Sequence, residues 1–364
     1  MRGTAHAMNP SIGAADPAEP EADKYTTPLV GTFRHWALPL AAVLLYPGFI
    51  ILAAHAISSF HHDGSPIAAL EALVTLILAA AVPVLALRAL LLLRRTSGHG
   101  LIRGALYVMF STAPLFSLMY SLARLVHIDQ NYSMFSAAWV GIWVAVGFVL
   151  YFHKIREAPI ANGQSITALR IVHGVTALCV LCGFLVAHLI NHDLAVWSVT
   201  LHGAVMKFLR LWYRSQWVEP TLLAALVVMI GTGIPMVARY SRRPADGYRV
   251  LQMATGVFVG VFLCSHVIAT LIGRHHGLET DWSFAAGPTS LLDGVGIRNR
   301  LIPHYLFAVL FLTVHVGCGV RIVLLHQRAT PVFANRALYG FVIVGLIITT
   351  LATAALLGFH VKAT

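Results

Sequence analysis

RVLQMATGVFVGVFLCSH, residues 249–266, decides the fold. No charged side chain stands between Arg249 and His266, and the apolar run continues to about residue 273. A helix needs about 20 predominantly apolar residues to cross a bilayer, so this stretch reads as a membrane span. Eight more runs have the same character, giving nine spans at about 36–58, 67–93, 104–125, 135–153, 171–191, 220–239, 250–273, 301–325 and 337–359. Composition agrees. Of 364 residues, 58% are hydrophobic and only 11% charged. A soluble domain carries about 25% charged residues, so this chain cannot clothe a water-facing surface. The reading is an all-α integral membrane protein.

Lys and Arg concentrate in alternate loops. The tail (Arg2, Lys24, Arg34) and the loops with Arg94, Arg95 and Arg103, Lys154, Arg156 and Arg170, Arg239, Arg242, Arg243 and Arg249, and Arg321, Arg328 and Arg336 share one side. The positive-inside rule then expects a cytoplasmic N-terminus and an external C-terminus in the cell (inner) membrane. The net charge of +11 is scattered over these loops, which argues against a nucleic-acid face. Residues 1–35 read as a disordered cytoplasmic tail, 36–153 as a four-helix unit of unassigned role, and 170–359 as a five-helix unit. Residues 197–215, WSVTLHGAVMKFLRLWYRS, mix aromatic and basic side chains as an interfacial helix does. Cys179 and Cys182 have redox spacing, but inside an apolar helix they read as packing residues. There is no phosphate-cradling glycine loop and no soluble domain for a flavin.

The chain holds 19 histidines against 14 acidic residues, and the quoted stretch has a partner. Residues 170–188, RIVHGVTALCVLCGFLVAH, also open on arginine and close on F-L-x-x-H. His188 and His266 therefore fall at the same depth on two helices running in one direction. Polar groups inside spans are costly and point to function, and two imidazoles facing across a gap are the axial set of a low-spin heme. Zinc or copper asks for three or four converging ligands. The sixth and eighth spans match as well: Met229-IGT-Gly233 beside His315-VGC-Gly319, with small residues thinning one face of each.

These residues resemble the membrane-anchor cytochrome b of succinate dehydrogenases and fumarate reductases, in its five-helix, diheme form. The resemblance covers residues 170–359. It is carried by the opening Arg249, Gln252, Thr255, Gly256 with a partial copy at Arg170, His173, Gly174, by the two F-L-x-x-H endings, and by His315, Gly319, Val320, Arg321. It implies heme b ligated by His188 and His266 and a second heme on His315. The expected partner of His315 is replaced by Met229, which leaves three sets open: Met229 with His315, no second heme, or His173 with His315. Measured along each helix, His173 lies roughly 4–5 Å and His315 about 9 Å from the boundary, a mismatch that favours a propionate or quinone role for His173. The resemblance also implies a quinone or quinol, with Arg249, Gln252 and Thr255 as candidates at one face, Glu219 and Trp217 at the other, and a cytoplasmic flavoprotein or iron–sulfur subunit as partner. The expected function is electron transfer between heme and the quinone pool, as a subunit rather than a complete enzyme. The alternatives are a heme-binding anchor for a signalling partner, and a heme-free transporter whose histidines move protons.

Overall fold

The computed structural model describes residues 29–96, 99–126, 131–152, 166–293 and 296–362. The expected tail over residues 1–28 and the loop with Lys154 and Arg156 lie outside them. Regular structure among the described residues is helical. It comprises α1 (Leu29–Asp63), α2 (Pro66–Leu92), α3 (Gly100–Phe110), α4 (Thr112–Leu125), α5 (Tyr132–Phe152), α6 (Thr167–Val180), a π turn (Leu181–Leu185), α7 (Val186–Trp197), α8 (Val199–Tyr213), α9 (Val218–Tyr240), α10 (Gly247–His275), α11 (Trp282–Ala286), a 3₁₀ turn (Arg298–Arg300), α12 (Leu301–His326) and α13 (Pro331–Leu356). Residues 29–35, expected in the tail, belong to α1.

Eight helices among the described residues are long and apolar enough to cross a membrane, or nine if α3 and α4 make one bent span. The sequence reads 104–125 as one crossing. The two helices meet there at 72°. The break follows from Ser111-Thr112-Ala113-Pro114. Pro114 has no N–H for the helix ladder, and the hydroxyls of Ser111 and Thr112 turn back onto the Tyr107 and Met109 carbonyls at 3.1 and 2.6 Å. The expected interfacial segment is α8, 15 residues long and not among the spans.

Helix α1 carries Pro47 in its interior. A proline cannot donate to the carbonyl four residues back, here that of Val43. Trp139 of α5 supplies the donor instead, Nε1–H to the Val43 oxygen at 2.8 Å. The Tyr132 hydroxyl donates to the Pro47 carbonyl, and the Asn299 amide to that of Ile50, each at 2.8 Å. Trp139→Phe keeps an aromatic ring and orphans one buried carbonyl. The expected loss is about 1–3 kcal/mol, read as a lower Tm in detergent; an unchanged Tm contradicts this role.

The first five helices do not stand apart from the rest. Buried residues of α1–α5 share one core with Val250, Met253, Ala254 and Phe258 of α10 and Ala308 of α12. Phe110 stacks on Phe311 with ring centroids 4.8 Å apart and meets Phe258 edge-on at 6.0 Å. At the Arg249 end, the buried Arg103 guanidinium donates to the carbonyls of Ser241, Leu93 and Thr96 at 2.6, 3.1 and 2.6 Å. One side chain thus ties the start of α3 to the ends of α2 and α9. In the second half α6 lies against α9, α10 against α12, and α13 against α12 and α7. Helices α6 and α9 are thinly covered, with only Val180 and Thr232 buried.

Candidate functional site: two facing histidine pairs

The repeated Arg-to-His stretches differ by one residue, 18 positions against 17. The π turn accounts for that residue. Helix α10 runs as continuous α-helix from Gly247 to His275, whereas the first copy contains the π turn Leu181–Leu185 between its arginine and its histidine. A π turn absorbs one extra residue without turning the flanking helices out of phase. His188 therefore occupies the position on its helix that His266 occupies on α10.

The two rings meet edge to face with centroids 6.1 Å apart. Each has its own aromatic support from the same motif. Phe184 stacks on His188 at 4.8 Å, and Phe262 stacks on His266 at 5.5 Å, four residues earlier in each case. One helical turn places i and i+4 on a common face, so the phenylalanine of F-L-x-x-H holds the plane of its histidine. Tyr305 closes on His266 at 6.4 Å, and His304 packs on Phe262 at 4.8 Å.

A second pair lies toward the Arg249 end. His173 and His315 have ring centroids 6.4 Å apart. Their Nδ1 atoms are committed: that of His315 to the Gln252 carbonyl at 3.0 Å, and that of His173 to the Met229 carbonyl and the Thr232 hydroxyl, both at 3.1 Å. A carbonyl only accepts, so each Nδ1 carries the proton and each Nε2 keeps its lone pair, the tautomer that ligates a metal. The depth difference read along the sequence does not keep these rings apart. Distance along each helix axis does not by itself fix height in a bundle. Met229 touches this pair through its main-chain oxygen.

Two imidazoles that hold one metal ion between them, each through a ring nitrogen about 2.0 Å from it, have their centroids about 6 Å apart. Both pairs match that spacing. Glycines adjoin the second pair. A Cβ added to Gly256 would stand 2.7 Å from Cε1 of His315, and one at Gly233 would stand 3.8 Å from Cε1 of His173. Gly174, Gly183, Gly231, Gly260 and Gly319 have nothing within 4 Å of such a Cβ. Gly317 serves another purpose, since its Cβ would strike Phe341 of α13 at 2.8 Å. Among the described residues no three His, Cys, Asp or Glu side chains converge as ligands for a metal ion.

The remaining sequence candidates divide. Arg249 lies over the Tyr240 ring at 4.6 Å and donates to the Gln252 amide oxygen at 3.2 Å. Thr255 is buried, and its hydroxyl turns back to the Leu251 carbonyl at 2.7 Å. Glu219 is held by Arg274 in a two-point ion pair, one contact very short and the other 3.3 Å, while Trp217 is exposed. Cys179 and Cys182, expected to pack, are exposed.

The sequence offers His188 and His192 as an i, i+4 pair at a helix end, and the structure adds to them. His192 lies 4.6 Å from its ring, and His202 of α8 lies 5.4 Å from His192 and 5.0 Å from Trp282. His202 donates from Nδ1 to the Asn191 carbonyl at 2.8 Å. Burial pushes its pKa below the usual histidine value, partly offset by that hydrogen bond, so it fastens α8 to α7 as a neutral ring. The only sequence signal was its place on the amphipathic segment. No protein-family profile, curated protein or solved structure gives a significant match to this chain.

Proposed function

We propose that this chain is a membrane-embedded b-type cytochrome that passes electrons between heme and the quinone pool. His188 and His266 would hold one heme, and His173 and His315 the other. The observation that carries the reading is the pair of ring separations, 6.1 and 6.4 Å, each close to what two imidazoles would need to hold one heme between them. Heme supplies a one-electron carrier whose potential its axial ligands and surroundings tune.

The chain's own residues do the rest. The Gln252 and Met229 carbonyls fix the imidazole tautomers, Phe184 and Phe262 fix ring planes, and the apolar spans keep water away. His173 and His188 are 15 residues apart on one interrupted helix, about 22 Å along its axis, so the pairs lie toward opposite ends of the bundle and suit transfer across a bilayer. Arg249 with Gln252 is the better quinone contact, beside His315 through the Gln252 carbonyl. Glu219 is committed to Arg274. Orientation follows the basic loops: N-terminus in the cytoplasm, C-terminus outside, in the cell's inner membrane. A flavin- or iron–sulfur-bearing partner would dock at the cytoplasmic, Arg249 end.

The test is to add a short-tailed quinol to the purified, oxidised protein and record visible spectra. Growth of a b-type α-band is expected. Absence of any heme band would sink the reading, and a heme that only dithionite reduces would refute the quinone part.

A further inference from the structure

Helix α8 connects the end of α7 to the start of α9, so it lies across one end of the membrane-spanning bundle. One face of it is used internally. His202 and Met206 are buried. Arg210 and Arg214 turn toward the loop before α11, donating to the Thr280 carbonyl and hydroxyl at 2.7 Å each, with Glu279 3.6 Å from Arg210.

The other face is apolar and open. Phe208, Leu211 and Trp212 are 72%, 79% and 53% exposed. With Leu209 they line a shallow groove of about 460 Å³, open to the outside along one helix face. Lys207 stands exposed at its edge, next to Phe208 and one helical turn before Leu211. The α8 sequence VTLHGAVMKFLRLWY has no acidic residue, so the groove's only charged neighbours on this helix are basic. Exposed Trp197 and Trp217 flank the helix, and tryptophan marks the headgroup level of a bilayer.

We infer that α8 is a binding site for one anionic phospholipid, with an acyl chain in the Phe208–Leu211–Trp212 groove and the phosphate at Lys207. The inference stands on the membrane character of the fold and does not depend on heme. The basic residue gives the groove its preference for negative headgroups, and an occupied groove pins α8, whose His202 is fastened to α7 beside His188.

Native mass spectrometry of the full chain, purified in mild detergent and supplied with phosphatidylglycerol or phosphatidylcholine, tests it. One basic residue near a lipid surface contributes about fivefold, so phosphatidylglycerol should be retained about fivefold better. Lys207→Glu should abolish that preference, and Lys207→Arg should keep it. Leu211→Asp should lose retained lipid of both kinds. Circular dichroism checks that each variant is helical. Equal retention of the two lipids by the unmodified chain, an unchanged preference in Lys207→Glu, or a retained quinone in place of phospholipid overturns the inference.

Discussion

His173→Ala is expected to halve the heme content of the purified protein, from two per chain to one, while Met229→Leu leaves it at two. The Met229 contribution is a main-chain carbonyl, which survives any side-chain change that keeps α9 helical. Leucine fills a similar volume, and such swaps cost under about 1.5 kcal/mol. Removing the His173 imidazole leaves His315 without its facing ring 6.4 Å away. The spectrum of His173→Ala should lose one component and keep that of the His188–His266 centre. If Met229→Leu loses the heme and His173→Ala keeps it, the methionine sulfur is the ligand and the assignment of this pair is wrong.

Gly256→Leu should remove the same centre from a different helix. A Cβ at Gly256 would stand 2.7 Å from Cε1 and 3.1 Å from Nδ1 of His315. The ring would have to swing, and its hydrogen bond to the Gln252 carbonyl would break. Overpacking of this kind costs about 1–3 kcal/mol, which a bundle of this size can bear, so the protein should still purify with the His188–His266 heme. Gly231→Ala, where nothing lies within 4 Å, should keep both. Two hemes in Gly256→Leu would show that this glycine is not what makes room for His315.

Much of this was legible in the sequence, for physical reasons. Uncharged runs of about 20 residues have few soluble alternatives, so the long apolar helices could be placed to within about seven residues at either end. The F-L-x-x-H endings marked His188 and His266 because an i, i+4 aromatic–histidine pair must share a helix face. The one-residue difference between the copies was visible, but only the backbone showed that a π turn absorbs it. The pairing of His173 with His315 was one of three sets the sequence left open. Depth counted along single helices does not fix height in a bundle, and aligning the sixth span to the eighth pointed to the Met229 side chain without showing that the Met229 carbonyl bonds to His173. The break at Ser111 had a signal in Ser-Thr-Ala-Pro that a hydropathy reading flattens. The shared core of α1–α5 with α10 and α12 had none, because helices that are apolar all round do not announce which face meets protein and which meets lipid.

Combining histidine substitutions tests the central claim most directly. The claim is that four histidines act as two pairs. Heme per chain is to be measured for the unmodified protein, for His188→Ala with His266→Ala, for His173→Ala with His315→Ala, and for His188→Ala with His173→Ala. The account predicts two hemes in the unmodified chain, one in each of the first two double variants, and none in the third. Heme retained in the third variant, or lost completely from either of the first two, would contradict it.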